Sequence, residues 1–273
     1  MSWGYGQTGE PGPDLWYRDW PLANTGTRQS PVDIVTSQTS PLPSSPISIS
    51  YSPARDLEIT NTGAGWQVRL ESCQSWVSVG GERYRVVQCH AHWGGSEHAV
   101  DGVKLEAEVH LVHYNTKYQT FSRALHQSDG LLVLGVLVTQ VQEGDQGVSQ
   151  ELDKICRHLG EIKLRDSTTT IREELHLERL LPADRSYFTY LGSLTTPPLL
   201  ESVTWVLFRQ PLKATKKQVS QSGLVVRDVT NTEVQLGEMA GLSVSRTDED
   251  QLLTENCRPV CPLEGRTVHS HID

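Results

Sequence analysis

The 273-residue sequence predicts one mainly β domain of the α+β class, with a few short helices. Three observations carry this reading. Strand-like runs are spread from one end of the chain to the other, no linker separates two halves, and helical periodicity is confined to two short stretches. Residues 1–273 are therefore taken as a single domain. Hydrophobic residues make up 37% of the chain and charged residues 21%, as in an ordinary globular protein able to bury a sizeable core.

Taken in order, residues 37–53 carry Pro41, Pro43, Pro46 and Pro53 among serines and read as an extended surface segment. Residues 47–51 within it are strand-like. Alternation of apolar and polar side chains then predicts strands at 66–70, 76–79, 84–92 and 105–114. Residues 131–141 are almost continuously apolar, which predicts a central strand buried on both faces. Residues 202–208 predict another strand. Val148, Leu152, Ile155, Cys156 and Leu159 fall at helical spacing, with Ser149 as the cap, and 215–221 predict a shorter helix.

Several function classes are disfavoured. A net charge of -9 argues against a nucleic-acid surface. No stretch approaches the roughly 20 apolar residues of a membrane span. Residues 1–21 lack the apolar core of a secretory leader, and the chain has no Asn-x-Ser/Thr sequon. Five cysteines (Cys73, Cys89, Cys156, Cys257, Cys261), with no Cys-x-x-Cys, are expected to stay reduced. A cytoplasmic protein is the expectation, with a mitochondrial one as the alternative. Cys257 and Cys261 lack the second pair that would complete a metal site.

The chemistry concentrates in His90-Ala91-His92 and Glu108-Val109-His110. Residues two apart on a strand share a face. Gln88, His90 and His92 therefore share one, as do Glu106, Glu108, His110 and Val112. If the two strands are neighbours, three imidazoles converge. Nitrogen ligands suit zinc, copper, iron or nickel, and three of them leave a fourth position open, as in catalytic zinc sites. Gln88 and Glu108 are placed to orient a ligand histidine by a hydrogen bond. His90-x-His92 followed by Glu97 also resembles the first motif of the cupins, β-barrel metalloproteins that include oxygenases. Lys104 stands where that motif has glycine, and no Pro-x-Gly precedes His110 or His113.

Further segments are more specific. Trp3-Gly4-Tyr5-Gly6, Gln29-Ser30-Pro31-Val32-Asp33-Ile34, Ser96-Glu97-His98, Glu108-Val109-His110-Leu111-Val112-His113-Tyr114-Asn115 and Gly192-Ser193-Leu194-Thr195-Thr196-Pro197-Pro198 occur in that order. Together they resemble the α-class carbonic anhydrases over nearly the whole chain. The resemblance implies a large twisted, mostly antiparallel sheet with zinc at the foot of a conical cleft. It implies that His90, His92 and His110 hold Zn2+, oriented by Gln88, Glu108 and the main chain of Asn256. Thr195 would accept a hydrogen bond from zinc-bound hydroxide and pass its own proton to Glu97. Thr196 would lie beside the substrate and Tyr5 at the water network. Val112, Val133, Leu194, Val203 and Trp205 would form the apolar wall for carbon dioxide, and Arg258 would be structural.

The implied activity is reversible hydration of carbon dioxide to bicarbonate and a proton, with weak esterase activity and inhibition by sulfonamides. The implied partners are small molecules only, with no nucleic acid or membrane, for a monomer. Fast members of the family carry a proton-relaying histidine where this chain has Ala64. Turnover is therefore expected to be limited by proton export, with His126 and Tyr5 the other candidates for the relay. A catalytically silent binding module is the second reading, but such relatives have lost a zinc ligand and this chain keeps all three. Other departures are the short Trp93-to-Glu97 loop, the tight Gly80-Gly81 turn, Leu191 in place of a common proline, and a long stretch from 223 to 255.

Overall fold

The computed structural model describes residues 2–7, 9–42, 46–221, 242–247 and 252–273, with the backbone alone at 219–221. Most of the 223–255 stretch lies outside these residues. A mixed sheet of 12 strands dominates the described chain. Its order is Thr168–Ile171, Leu57–Asn61, Trp66–Arg69, Glu82–Trp93, Ala107–Asn115, Leu131–Val141, Val203–Thr215, Tyr187–Gly192, His269–His271 and Ser40–Pro41. Trp76–Val79 pairs with Glu82–Trp93 and with Ser48–Ser50 off this path. Within this sheet the pairings of the described strands are antiparallel except Leu131–Val141 with Val203–Thr215 and His269–His271 with Ser40–Pro41. The helices are short, as expected. Gln150–Cys156 starts at Ser149, whose hydroxyl accepts from Leu152 N at 3.2 Å, and Lys216–Gln221 follows directly on the last long strand. No described helix is long and apolar enough to cross a membrane.

Two apolar clusters hold the sheet from opposite faces. Leu132, Leu134, Val136, Val206 and Phe208 belong to the larger one. Leu131, Val133, Leu137, Val203, Trp205 and Leu207 belong to the other. This alternation explains the apolar run at 131–138: both faces of that part of the strand are core. Gly80 and Gly81, at φ 58° and 84°, make the two-residue turn that twists Trp76–Val79 onto its partner.

Some elements differ from the expectation. Leu57–Asn61, Thr168–Ile171, Tyr187–Gly192 and His269–His271 are strands that the pattern alone did not mark. The strand expected at 202–208 runs on to Thr215. Its pairing with Leu131–Val141 shifts register between Val136 and Val138, so residues 209–211, Pro211 included, fall where the ladder is interrupted. A second bulge, between Val86 and Gln88, has a larger consequence. Before it, Tyr84 and Val86 face the larger core; after it, Cys89, Ala91 and Trp93 do. The extra residue reverses the parity of the strand, and Gln88, His90 and His92 turn to the opposite face.

Candidate metal centre

Strand pairing brings the three histidines together. His90 is the direct cross-strand partner of His110, and His92 that of Glu108. Each histidine offers a nitrogen, and the three atoms lie within 4.8 Å of one another. His92 and His110 are buried, and His90 is partly exposed toward the cleft.

The other nitrogen of each ring is engaged. His90 Nδ1 lies 2.7 Å from Gln88 Oε1, His92 Nδ1 2.7 Å from Asn256 O, and His110 Nε2 2.7 Å from Glu108 Oε1. Those oxygens only accept, so the ring nitrogens facing them carry the protons. What remains is Nε2 of His90, Nε2 of His92 and Nδ1 of His110, with His110 Nδ1 3.3 Å from His90 Nε2. His92 Nε2 is buried without a hydrogen-bond partner among the described residues. Burial, then the neighbouring His110 and His92 rings, push His90 well below the ordinary imidazole range, and burial lowers His92. Three ring nitrogens gathered this closely, with the opposite nitrogen of each ring committed to an acceptor, are the donor set that zinc takes, so the residues present fit that ion.

A buried network backs the ligands. Glu108 also accepts from His98 N at 2.8 Å and His98 Nδ1 at 2.7 Å. His98 Nε2 lies 2.6 Å from Tyr190 Oη, which in turn donates to Ser30 Oγ at 2.9 Å. Burial alone would raise the Glu108 carboxyl, but His98 and His110 outweigh it and hold Glu108 well below the usual carboxylate range. His98, Tyr190 and Ser30 were not marked as site residues in the sequence. The signals were His98 inside Ser96-Glu97-His98 and Ser30 inside Gln29-Ser30-Pro31.

The wall residues line up in one rung of the sheet. Gln88 pairs with Val112, Val112 with Val133, and Val133 with Trp205. Val203 is in the same apolar cluster and Leu194 packs against it. The Trp205 ring stands 4.9 Å from that of His110. Thr196 lines a cleft of about 240 Å³ with Trp3, Tyr5, Ala64, His90 and His92; Thr62 and Gln67 line it too.

One placement differs from the resemblance. No hydrogen bond joins Thr195 to Glu97 among the described residues. Glu97 Oε1 accepts from Arg258 N at 3.0 Å, while Oε2 is buried without a partner, 3.3 Å from His92 Nε2. His126 lines a separate surface groove with Lys117 and Arg123. The Tyr5 hydroxyl is buried without a partner among the described residues, and burial, then Glu97, raise it well above the ordinary phenol range. Arg258 serves the scaffold, donating to Gln29 Oε1 and Ser30 O. All five cysteines are free.

With this geometry in hand, comparison with known proteins is direct. Residues 11–272 match the family model described as eukaryotic-type carbonic anhydrase. The chain is 37% identical to carbonic anhydrase 7 of Homo sapiens over 279 residues, covering 98% of this chain and 96% of that protein. It is 39% identical to carbonic anhydrase 1 of Mus musculus over 281 residues, covering 98% of each.

Proposed function

The chain belongs to the eukaryotic-type carbonic anhydrase family, a carbonate dehydratase lyase acting on carbon dioxide and bicarbonate, and on that premise we propose a zinc-dependent mechanism whose turnover is limited by proton export. The observation that supports zinc is the convergence of His90, His92 and His110, with His92 Nε2 buried and without a hydrogen-bond partner among the described residues. A zinc ion held there supplies Lewis acidity and brings the ionisation of water close to neutral pH, an effect for which carbonic anhydrase is itself the reference case.

The protein's own residues do the rest. Gln88, Asn256 O and Glu108 fix the tautomer of each ligand ring, so the ligand lone pairs need no rearrangement. Val112, Val133 and Trp205 offer carbon dioxide, which has no dipole, an apolar surface beside the ligands. We assign Glu97 Oε2 as the acceptor for the Thr195 hydroxyl when substrate is bound. With its proton committed there, the Thr195 oxygen can only accept, which orients the nucleophile.

The proton then has to leave. Ala64 stands in the cleft wall and cannot titrate, and Tyr5 is held protonated. Export therefore falls to small external buffers of the imidazole type. Sulfonamide inhibition, a monomeric state and a reducing, cytoplasmic setting are part of the same reading, the last supported by five free cysteines.

Metal analysis with stopped-flow hydration tests it. Stoichiometric zinc and a kcat that rises with imidazole concentration are expected. Zinc without hydration would overturn the enzymatic role, and a high, buffer-independent kcat would overturn the proton-export limit.

A further inference from the structure

The cleft has two walls with separate supports. One is the Trp3–Tyr5 segment, and the other is the turn 62–65. The turn is tied to residues 163–167: Asn61 Nδ2 donates to Lys163 O at 2.8 Å, and Asp166 N to Asn61 O at 2.7 Å. Arg165, from that same segment, folds back over the turn. A Cβ on Gly63 would stand 2.7 Å from Arg165 Cδ and 2.8 Å from its Nε, so the guanidinium stem lies directly on the glycine next to Ala64. Arg165 Nε is buried with no hydrogen-bond partner among the described residues.

Its far end crosses to the other wall. Arg165 Nη1 is 3.5 Å from Glu10 Oε1. Glu10 in turn lies against Gly4, where a Cβ would meet its Oε2 at 3.0 Å and its Cβ at 3.1 Å. Gly4 sits between Trp3 and Tyr5. The two glycines thus each receive one end of an ion pair, and the pair spans the walls. Its side chains are about one third exposed, 36% for Arg165 and 31% for Glu10.

We propose that Glu10 and Arg165 form a strap that holds the Trp3–Tyr5 segment against the turn 62–65 and so selects, by size, which external proton acceptors reach the cleft. The proposal rests on the reading that external buffer exports the proton. Both are positioning residues, since neither touches the candidate ligands. With the strap intact, a compact acceptor enters and a bulky one is hindered. With it cut, the hindrance falls.

The test compares imidazole with MOPS, a bulkier buffer of similar pKa, as the sole buffer in stopped-flow hydration by the zinc-loaded protein. In Glu10→Gln and Arg165→Met, the MOPS-dependent kcat should rise relative to the imidazole-dependent kcat by about two- to fivefold, the range a partly exposed ion pair can carry. kcat/KM should stay unchanged. The double exchange of Glu10→Arg with Arg165→Glu should restore the wild-type ratio, and Arg165→Lys should largely keep it. An unchanged ratio in both single variants would overturn the strap, as would kcat and kcat/KM falling together. A wild-type kcat independent of both buffers would instead overturn the reading beneath it.

Discussion

Gly135 and Glu108 are fitted to each other across neighbouring strands. A Cβ on Gly135 would lie 3.1 Å from Glu108 Oε1 and 2.8 Å from Leu207 Cδ1. Gly135 is also the direct cross-strand partner of His110. A glycine inside an otherwise unbroken apolar strand marks such a close approach. Gly135→Ala is expected to displace the carboxylate that holds His110. Zinc affinity should fall about tenfold or more, and stability by about 1–3 kcal/mol. Chelator competition and thermal unfolding measure the two effects. Unchanged zinc affinity would show that Glu108 has room the geometry denies it.

Removing a ligand should separate metal binding from folding. His92→Ala leaves Asn256 O without its ring partner and two imidazoles to hold the ion. Zinc content and hydration should both collapse, while circular dichroism keeps its β signature, because His92 belongs to neither of the two apolar clusters. Chelation of the wild-type protein should do the same, and zinc should restore activity. Hydration at wild-type rate in the metal-free protein would refute the zinc assignment.

Ala64→His places a titratable ring in the cleft wall. The Ala64 carbonyl, not its side chain, accepts from Asn256 Nδ2, so the substitution spares that bond. In weak buffer, kcat should rise at least about tenfold, toward what a positioned acid–base group contributes. kcat/KM should not move. If kcat is unaffected, a step other than proton export sets the rate.

His113 should make the protein acid-sensitive. Its Nδ1 donates to Leu132 O at 3.1 Å, and its Nε2 accepts from the Tyr51 hydroxyl at 2.7 Å. Burial lowers it to about 4, from 6.5. Between those values the unfolded chain binds the extra proton and the folded one does not. The contribution is therefore complete above about pH 6.5 and is lost as pH falls through that window. This amounts to about 2 kcal/mol between pH 7 and pH 5. Urea unfolding at both values should show that loss in wild type and a smaller one in His113→Asn. Equal losses would rule out His113 as the cause.

The candidate ligands were legible in the sequence because alternation is local: His90 and His92, two apart, must share a strand face. The long buried strand at 131–141 was legible for the same reason. Leu57–Asn61 and Tyr187–Gly192 were not, since short strands acquire their identity from the neighbours they pair with. Val203–Thr215 was expected to end at 208, and it runs on because Pro211 falls where the ladder is interrupted.

By itself, then, the sequence determined which residue types could form the site, the family that carries them, and that the chain is mainly β. Tertiary structure decided where those residues point and what holds them. The bulge between Val86 and Gln88 reverses the strand's parity, and only pairing with Ala107–Asn115 sets His90 opposite His110. Asn256 reaches His92 across 164 positions of chain, and Arg165, against Gly63, reaches Glu10, against Gly4. Local periodicity is set by backbone geometry, whereas register, bulges and long-range contacts are set by how the whole sheet packs against its two cores.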